Sequence, residues 1–293
     1  MSRSVRRACI DIGSNTTRLL VAECDGGNLF EIHQERAFTH IGRGLLADGT
    51  IPAPKIDEVV EVVAAQIRTA KELGATEVRG VATAAIRGAV NGSALVAAID
   101  GRCGLTVDVL SGDEEARLAF VGAARTLDHA PAGELGVVDV GGGSSELVVG
   151  TVPDNISWCT SFAVGSGNLS EGWLLSDPPS SGELSAARAR VAEALAGVRV
   201  PQPAEAVAVG GSAASLRLLA GPLLDAGALR RALALLGTER ATDVARRFGL
   251  HVDRVRLLPA GLLILEAASE LFGTSLQIAR GGVREGVLLE AGA

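Results

Sequence analysis

The chain has 293 residues, long enough for two domains of ordinary size, and its 47% hydrophobic content excludes a disordered chain. A formal net charge of −7 argues against binding nucleic acid through the overall field, yet leaves room for a local arginine-lined site that takes an anion. The absence of Tyr and an aromatic content of 3% also argue against a stacking platform for single-stranded nucleic acid.

Three strands open the chain, predicted over 7–12, 17–23 and 29–34. Asp25-Gly26-Gly27-Asn28 has the glycines of a tight hairpin turn between the second and third. The spacing of Ile56, Val59, Val60, Val63 and Ile67 predicts a helix over 55–73, stopped by Gly74. A strand over 78–82, a helix over 93–101, a strand over 106–110 and a helix over 113–127 follow. The stretch 126–133, with Asp128, Pro131 and Gly133, reads as a domain boundary. Beyond it come strands over 135–140 and 146–150, a helix over 182–196, a strand over 204–209, and mostly helix to the end. This alternation predicts an α/β protein. Residues 1–126 form one expected domain and 127–293 the other, with the last helix able to pack back on the first.

Cys9, Cys24, Cys103 and Cys159 form no CxxC pair, and His33, His40, His129 and His251 are equally dispersed. Neither a disulfide framework nor a structural zinc site is expected. The longest later apolar run, over 257–265, contains Pro259 and Gly261 and stops at Glu266, so no membrane span is expected. A cytoplasmic protein without membrane or nucleic-acid partners is the expectation.

The informative feature is an internal repeat. The run from Asp11 to Val21 (Asp-Ile-Gly-Ser-Asn-Thr-Thr-Arg-Leu-Leu-Val) lines up with Asp139 to Val149 (Asp-Val-Gly-Gly-Gly-Ser-Ser-Glu-Leu-Val-Val), 128 positions on. Each copy is an apolar strand ending near an Asp, a Gly-containing turn with hydroxyl residues, and a second apolar strand. Two halves that begin alike suggest two domains of one fold facing across a cleft. A turn of this kind can gather backbone N–H groups into a nest for phosphate oxygens. Gly13, Ser14, Asn15 and Thr16 in one copy, and Gly141, Gly142, Gly143 and Ser144 in the other, are the candidate binding residues. Asp11 and Asp139 at the strand ends make sense beside phosphate when a divalent cation lies between, and magnesium suits carboxylates, phosphate oxygens and water. The plainer alternative is a pair of tight hairpins in which Gly serves turn geometry. A third Gly turn, with Gly211 and Ser212, follows the strand over 204–209; Ser212 there reads as a helix N-cap, and such a turn is also a usual anion site.

These stretches, with Ala82-Thr-Ala-Ala-Ile-Arg87, Ser111-Gly-Asp-Glu-Glu-Ala-Arg117 and Gly281-Gly-Val-Arg-Glu-Gly286, resemble the exopolyphosphatase / guanosine pentaphosphate phosphohydrolase family. They run in family order along nearly the whole chain. The resemblance implies two ribonuclease H-like domains of the actin-like ATPase and sugar kinase superfamily. It implies Glu115 as the base that activates water, and Asp139 and Glu146 as the acidic pair for metal and nucleophile, with Asp11 a further metal ligand. Magnesium is the implied cofactor and manganese its alternative. Ser111 and Glu114 read as a capping box, which gives Glu114 a structural task and leaves Glu115 for chemistry. Arg18 and Arg87 are the expected binders of terminal phosphoryl oxygens. Arg36, His40 and Arg43 could hold phosphates further along a polymer. The chain ends soon after Gly286, like the short form of the family without its C-terminal helical extension, which bears on dimer formation and on processivity; a homodimer is nonetheless compatible. Thr16 stands where the family usually has Ser.

Three functions compete. An exopolyphosphatase would release orthophosphate from the end of inorganic polyphosphate by metal-assisted attack of water. A guanosine pentaphosphate phosphohydrolase would use the same machinery. A phosphate or nucleotide sensor on the same fold would bind without turnover, and the presence of Glu115, Asp139 and Glu146 argues against it.

Overall fold

A computed structural model describes residues 5–291. It divides into two compact units. One takes in the described residues up to Thr126 together with those from Gly281 onward; the other is Leu127–Arg280.

In the first unit, β1 (Val5–Ile12) sends Ala8, Ile10 and Ile12 into one hydrophobic cluster and Cys9 into another. Period-2 alternation with both faces apolar demands a layer of helices on each side. β2 (Thr17–Asp25) and β3 (Asn28–Ala37) extend the sheet antiparallel on one edge of β1, joined by Gly26-Gly27, both at positive φ as their turn requires. After α1 (Ala53–Glu72) comes β4 (Glu77–Ala82), parallel to β1; α2 (Ala84–Gly88) and α3 (Gly92–Cys103) lead to β5 (Val107–Val109), giving the order β3-β2-β1-β4-β5. Val59, Val60 and Val63 of α1 and Leu95 and Ile99 of α3 bury the face that carries Ile10. On the other face α4 (Gly112–Arg125) contributes Leu118 and Ala119.

The second unit repeats this plan. β6 (Leu135–Val140), β7 (Ser145–Thr151) and β8 (Asn155–Phe162) form the antiparallel part, then α5 (Ser166–Trp173) and α6 (Ser181–Ala194) precede β9 (Glu205–Val209), which lies parallel to β6. α7 (Gly210–Ala220), β10 (Leu223–Leu224), α8 (Ala226–Leu236), α9 (Ala241–Phe248), α10 (Val252–Phe272) and β11 (Leu276–Ile278) complete it, in the sheet order β10-β11-β9-β6-β7-β8. Strands β8-β7-β6-β9-β11 match β3-β2-β1-β4-β5 in order and direction, so the repeat seen over eleven residues extends to whole sheets.

The final helix, α11 (Val283–Glu290), lies in the expected second domain of 127–293 as the helix free to pack back on the first, and it packs in the first unit. There Val283, Val287 and Leu288 join Cys9, Leu20 and Ala22. The contact with α4 is backbone against backbone: a Cβ on Gly122 would stand 2.0 Å from the Gly282 carbonyl oxygen, and one on Gly286 2.1 Å from that of Leu118. Nothing larger than hydrogen fits at either place, nor at Gly281, where a Cβ would stand 2.2 Å from the Gly122 carbonyl oxygen, which explains two glycines of the 281–286 motif. No helix among the described residues is long and apolar enough to cross a membrane.

Candidate active site

Both Asp–Gly hairpins close in the same way. Gly13 N–H donates to Thr16 O at 3.0 Å, and Gly141 N–H to Ser144 O at 3.0 Å. Ile12 pairs with Thr17, and Val140 with Ser145, at the mouth of each turn. A strap from beyond the third strand then binds each turn from behind. In the first unit His40 N–H donates to Asn15 O (3.0 Å) and Gly42 N–H to Ser14 O (2.8 Å). In the second, Ser166 N–H donates to Gly141 O (2.9 Å), Gly167 and Asn168 N–H to Gly142 O (2.8 and 3.1 Å), and the Asn168 amide Nδ2 to Gly143 O (2.9 Å). The hydroxyls of Thr17 and Ser145 tie to the same straps, on Thr39 Oγ1 and Val164 O. The turn carbonyls are thus claimed on one side, which is what a nest of outward N–H groups requires. Ser144 and Asn15 are buried, and Ser144 Oγ and Asn15 Nδ2 have no hydrogen-bond partner among the described residues.

The residue opposite each Asp differs between copies. Asp11 stands across from Arg18, whereas Asp139 stands across from Glu146. In the first unit, burial pushes the Asp11 carboxyl up, while Arg18 and Arg284 pull it down. Arg18 is itself brought down to about 10 by burial, with Arg284 adding to the effect. Arg284 lies in the interior, donating to Leu19 O at 3.2 Å and to Gln34 Oε1 at 3.1 Å. In the second unit, two carboxylates face each other across one rung of an antiparallel pair, about 5 Å apart at Cβ. Glu146 is 1% exposed and accepts from Ser161 Oγ at 2.8 Å.

Glu115 occupies the first turn of α4 and is 6% exposed. Arg87 Nη1 donates to Glu115 Oε2 at 3.0 Å and to Leu110 O at 2.7 Å. The expected choice between adjacent glutamates has a structural counterpart, with one correction. Ser111 Oγ does accept from Glu114 N–H at 3.1 Å, but the Glu114 carboxylate does not return to Ser111. It pairs instead with Arg117, whose hydrogen bond holds it below the usual carboxylate range. Arg117 draws it away along the exposed face, so half of the capping box is missing.

The third Gly turn also departs from expectation. α7 begins at Gly210 itself, so Ser212 sits in its first turn and is not the N-cap. Ser212 is fully buried, and its Oγ has no hydrogen-bond partner among the described residues. Over this turn lies Arg254 of α10, 5% exposed; a Cβ on Gly211 would stand 2.8 Å from its Nη1. The sequence marks no role for Arg254, and Arg284 stands in it only as one residue of the Gly281–Gly286 stretch. The only local signal for a function is an Arg inside an otherwise apolar helix, next to Val255 and Leu257 or beside Val283.

The chain is similar to known proteins along its whole length. It is 28% identical over 303 residues to exopolyphosphatase 1 of Mycobacterium tuberculosis, covering 97% of this chain and 88% of that protein. The crystal structure of the Aquifex aeolicus Ppx/GppA family member superposes with a TM-score of 0.82 at 28% identity, over 99% of this chain and 98% of that one. An exopolyphosphatase structure from Cytophaga hutchinsonii gives 0.86 at 20% identity over 98% of each chain, a likeness of fold. The α/β architecture of two actin-like domains is the one these structures share. The sequence profile of the Ppx/GppA phosphatase family matches residues 20–292, and the chain belongs to that family.

Proposed function

We propose that the protein hydrolyses the terminal phosphoanhydride of inorganic polyphosphate and releases orthophosphate. The observation that carries this reading is the twice-built hairpin whose turn carbonyls, on Ser14 and Asn15 in one copy and on Gly141, Gly142 and Gly143 in the other, are engaged from behind by a strap. Similarity to mycobacterial exopolyphosphatases supports the phosphoanhydride as the bond attacked.

Attack on a terminal phosphorus needs a positioned water, a base and positive charge around the transferred group. Glu115 is the base in this reading. Its burial and its bond to Arg87 orient the carboxylate. Arg87 is 28% exposed at its side chain and keeps further N–H groups for phosphoryl oxygens. Arg18, still charged at neutral pH, serves the same end beside the first turn.

For a divalent cation, Asp139 and Glu146 are the fitting donors, since two carboxylates opposed on one rung repel unless a cation lies between. Asp11 fits less well, because Arg18 and Arg284 already oppose its charge. Among the described residues no cluster of three or more His, Cys, Asp or Glu could hold a metal by itself. Substrate oxygens and water would therefore complete the shell, as magnesium prefers. Bound there, the cation would supply positive charge for phosphate oxygens held at that hairpin.

Phosphate release from polyphosphate of short and long chain length, guanosine pentaphosphate, ATP and pyrophosphate, with magnesium or manganese, tests the proposal. Fastest release from polyphosphate is expected. Preferential conversion of guanosine pentaphosphate to the tetraphosphate would replace the substrate and keep the chemistry, and no release from any of them would overturn both.

A further inference from the structure

His40 is the one non-glycine residue at positive φ among the described residues, at 47°. Such a backbone is strained for most side chains and tends to persist where it serves a task. Its bonds point to what that task is. The backbone N–H donates to Asn15 O at 3.0 Å, and ring Nδ1 lies 2.8 Å from Asn15 Oδ1. Phe38 stacks on the ring at 5.7 Å between centroids, and the His40 carbonyl accepts from Gly44 N–H at 2.9 Å. The backbone of His40 is thus held at both its N–H and its carbonyl while the ring meets the Asn15 amide.

Oδ1 can only accept, so the proton of this bond sits on Nδ1 of His40. That fixes the Asn15 amide against rotation and leaves Nδ2, with its two donor hydrogens, as the free end. Asn15 is 9% exposed, and Nδ2 has no hydrogen-bond partner among the described residues. A buried donor in that position calls for an acceptor. The second unit does the equivalent work differently: Gly143, the counterpart of Asn15 in the repeat, has no side chain, and its carbonyl is held by Asn168.

We propose that His40 is a positioning residue that acts through Asn15, turning the amide so that Nδ2 donates to a phosphoryl oxygen of the substrate. This replaces the expectation that His40 itself contacts phosphates along a polymer, and it rests on the phosphoanhydride reading above. Asn is the telling substitute at this position. Its Nδ2 occupies the place of histidine Nδ1 and it tolerates positive φ, whereas Asp has the same shape without a donor and Gly has the backbone freedom alone.

His40→Gly is expected to raise KM for polyphosphate about tenfold with kcat within about threefold, the weight of one hydrogen bond to a charged group. His40→Asn should restore KM to within about threefold of the parent. Asn15→Ala should match His40→Gly in size, and combining the two should add nothing, because residues acting through one contact are non-additive. A parental KM in His40→Gly, no recovery in His40→Asn, or additive losses in the double variant would each overturn the proposal. If His40→Gly does not fold, the comparison passes to His40→Asn and His40→Asp, and equal KM values for those two overturn it. The Asn15 side-chain amide resonance in the NMR spectrum, shifted by His40→Gly and restored by His40→Asn, reads the contact without turnover. A shift there in a protein that releases no phosphate would retain the contact and discard the functional reading.

Discussion

Replacing Glu115 by Gln keeps the shape of the side chain and an acceptor for Arg87, and removes only the negative charge. The structure separates its effect on rate from its effect on stability. General-base catalysis contributes about 10²- to 10⁴-fold, or about 2.7–5.4 kcal/mol of barrier at 1.36 kcal/mol per decade. The stability change is smaller. The Arg87 bond, at 3.0 Å to a carboxylate that is 8% exposed, weakens from a charge-assisted bond of about 1.5–3 kcal/mol to a neutral one of about 1. Relief from burying a carboxylate offsets much of that loss. The net is about 1 kcal/mol or less, and melting should move by about 2–4 °C in a chain of this length. Phosphate release from polyphosphate with magnesium, measured alongside a thermal melt, should therefore show at least a hundredfold loss in a protein that is still folded. Glu114→Gln, on a half-exposed residue paired with Arg117, is the matched control and should stay within about twofold. A Glu115→Gln enzyme within about threefold of the parent would refute the assignment of the base.

Two further outcomes test the acidic residues of the hairpins. Glu146→Gln removes one carboxylate of the opposed pair, so the magnesium concentration for half-maximal rate should rise about tenfold or more; a magnesium titration with an unchanged midpoint would remove the pair from metal binding. Asp11 behaves oppositely to an ordinary surface acid. Because burial raises its folded value above the ordinary 3.8, the folded chain keeps its proton where the unfolded chain has lost it, and its stabilising contribution falls as pH rises through the raised value. Asp11→Asn lacks this slope, so urea melts should show its stability relative to the parent climbing from about pH 4 upward. A pH-independent difference would refute the burial argument.

How much of this was legible follows from what each feature consists of. Strands β1, β2, β6 and β7 announce themselves because both faces of each are covered and the apolar run is nearly continuous. The two Asp–Gly turns are legible because turn geometry needs specific residues at fixed positions. β8 was not predicted: it lies at the sheet edge, half-buried, and Asn155–Phe162 mixes polar and apolar residues with no strong pattern. α10 hides its start for a different reason, since burial on nearly all sides erases the 3.6-residue period. The straps had no sequence signature at all. They are hydrogen bonds from backbone groups about 25 residues away, and every residue except proline carries such groups. The places of Arg254 and Arg284 were likewise invisible, because a charged residue inside an apolar stretch reads as a boundary or an accident until its partner is known.

The packing of α11 has a consequence for the order in which the molecule is made. The second unit is continuous in the chain, but the first is split around it. A ribosome delivers β1 to α4 early, yet Cys9, Leu20 and Ala22 wait for Val283, Val287 and Leu288, which emerge only after the whole second unit. During that interval the first unit holds an uncovered apolar face, and the buried guanidinium that meets Leu19 and Gln34 is not yet there. The half of the protein that is synthesised first is therefore the half that finishes folding last.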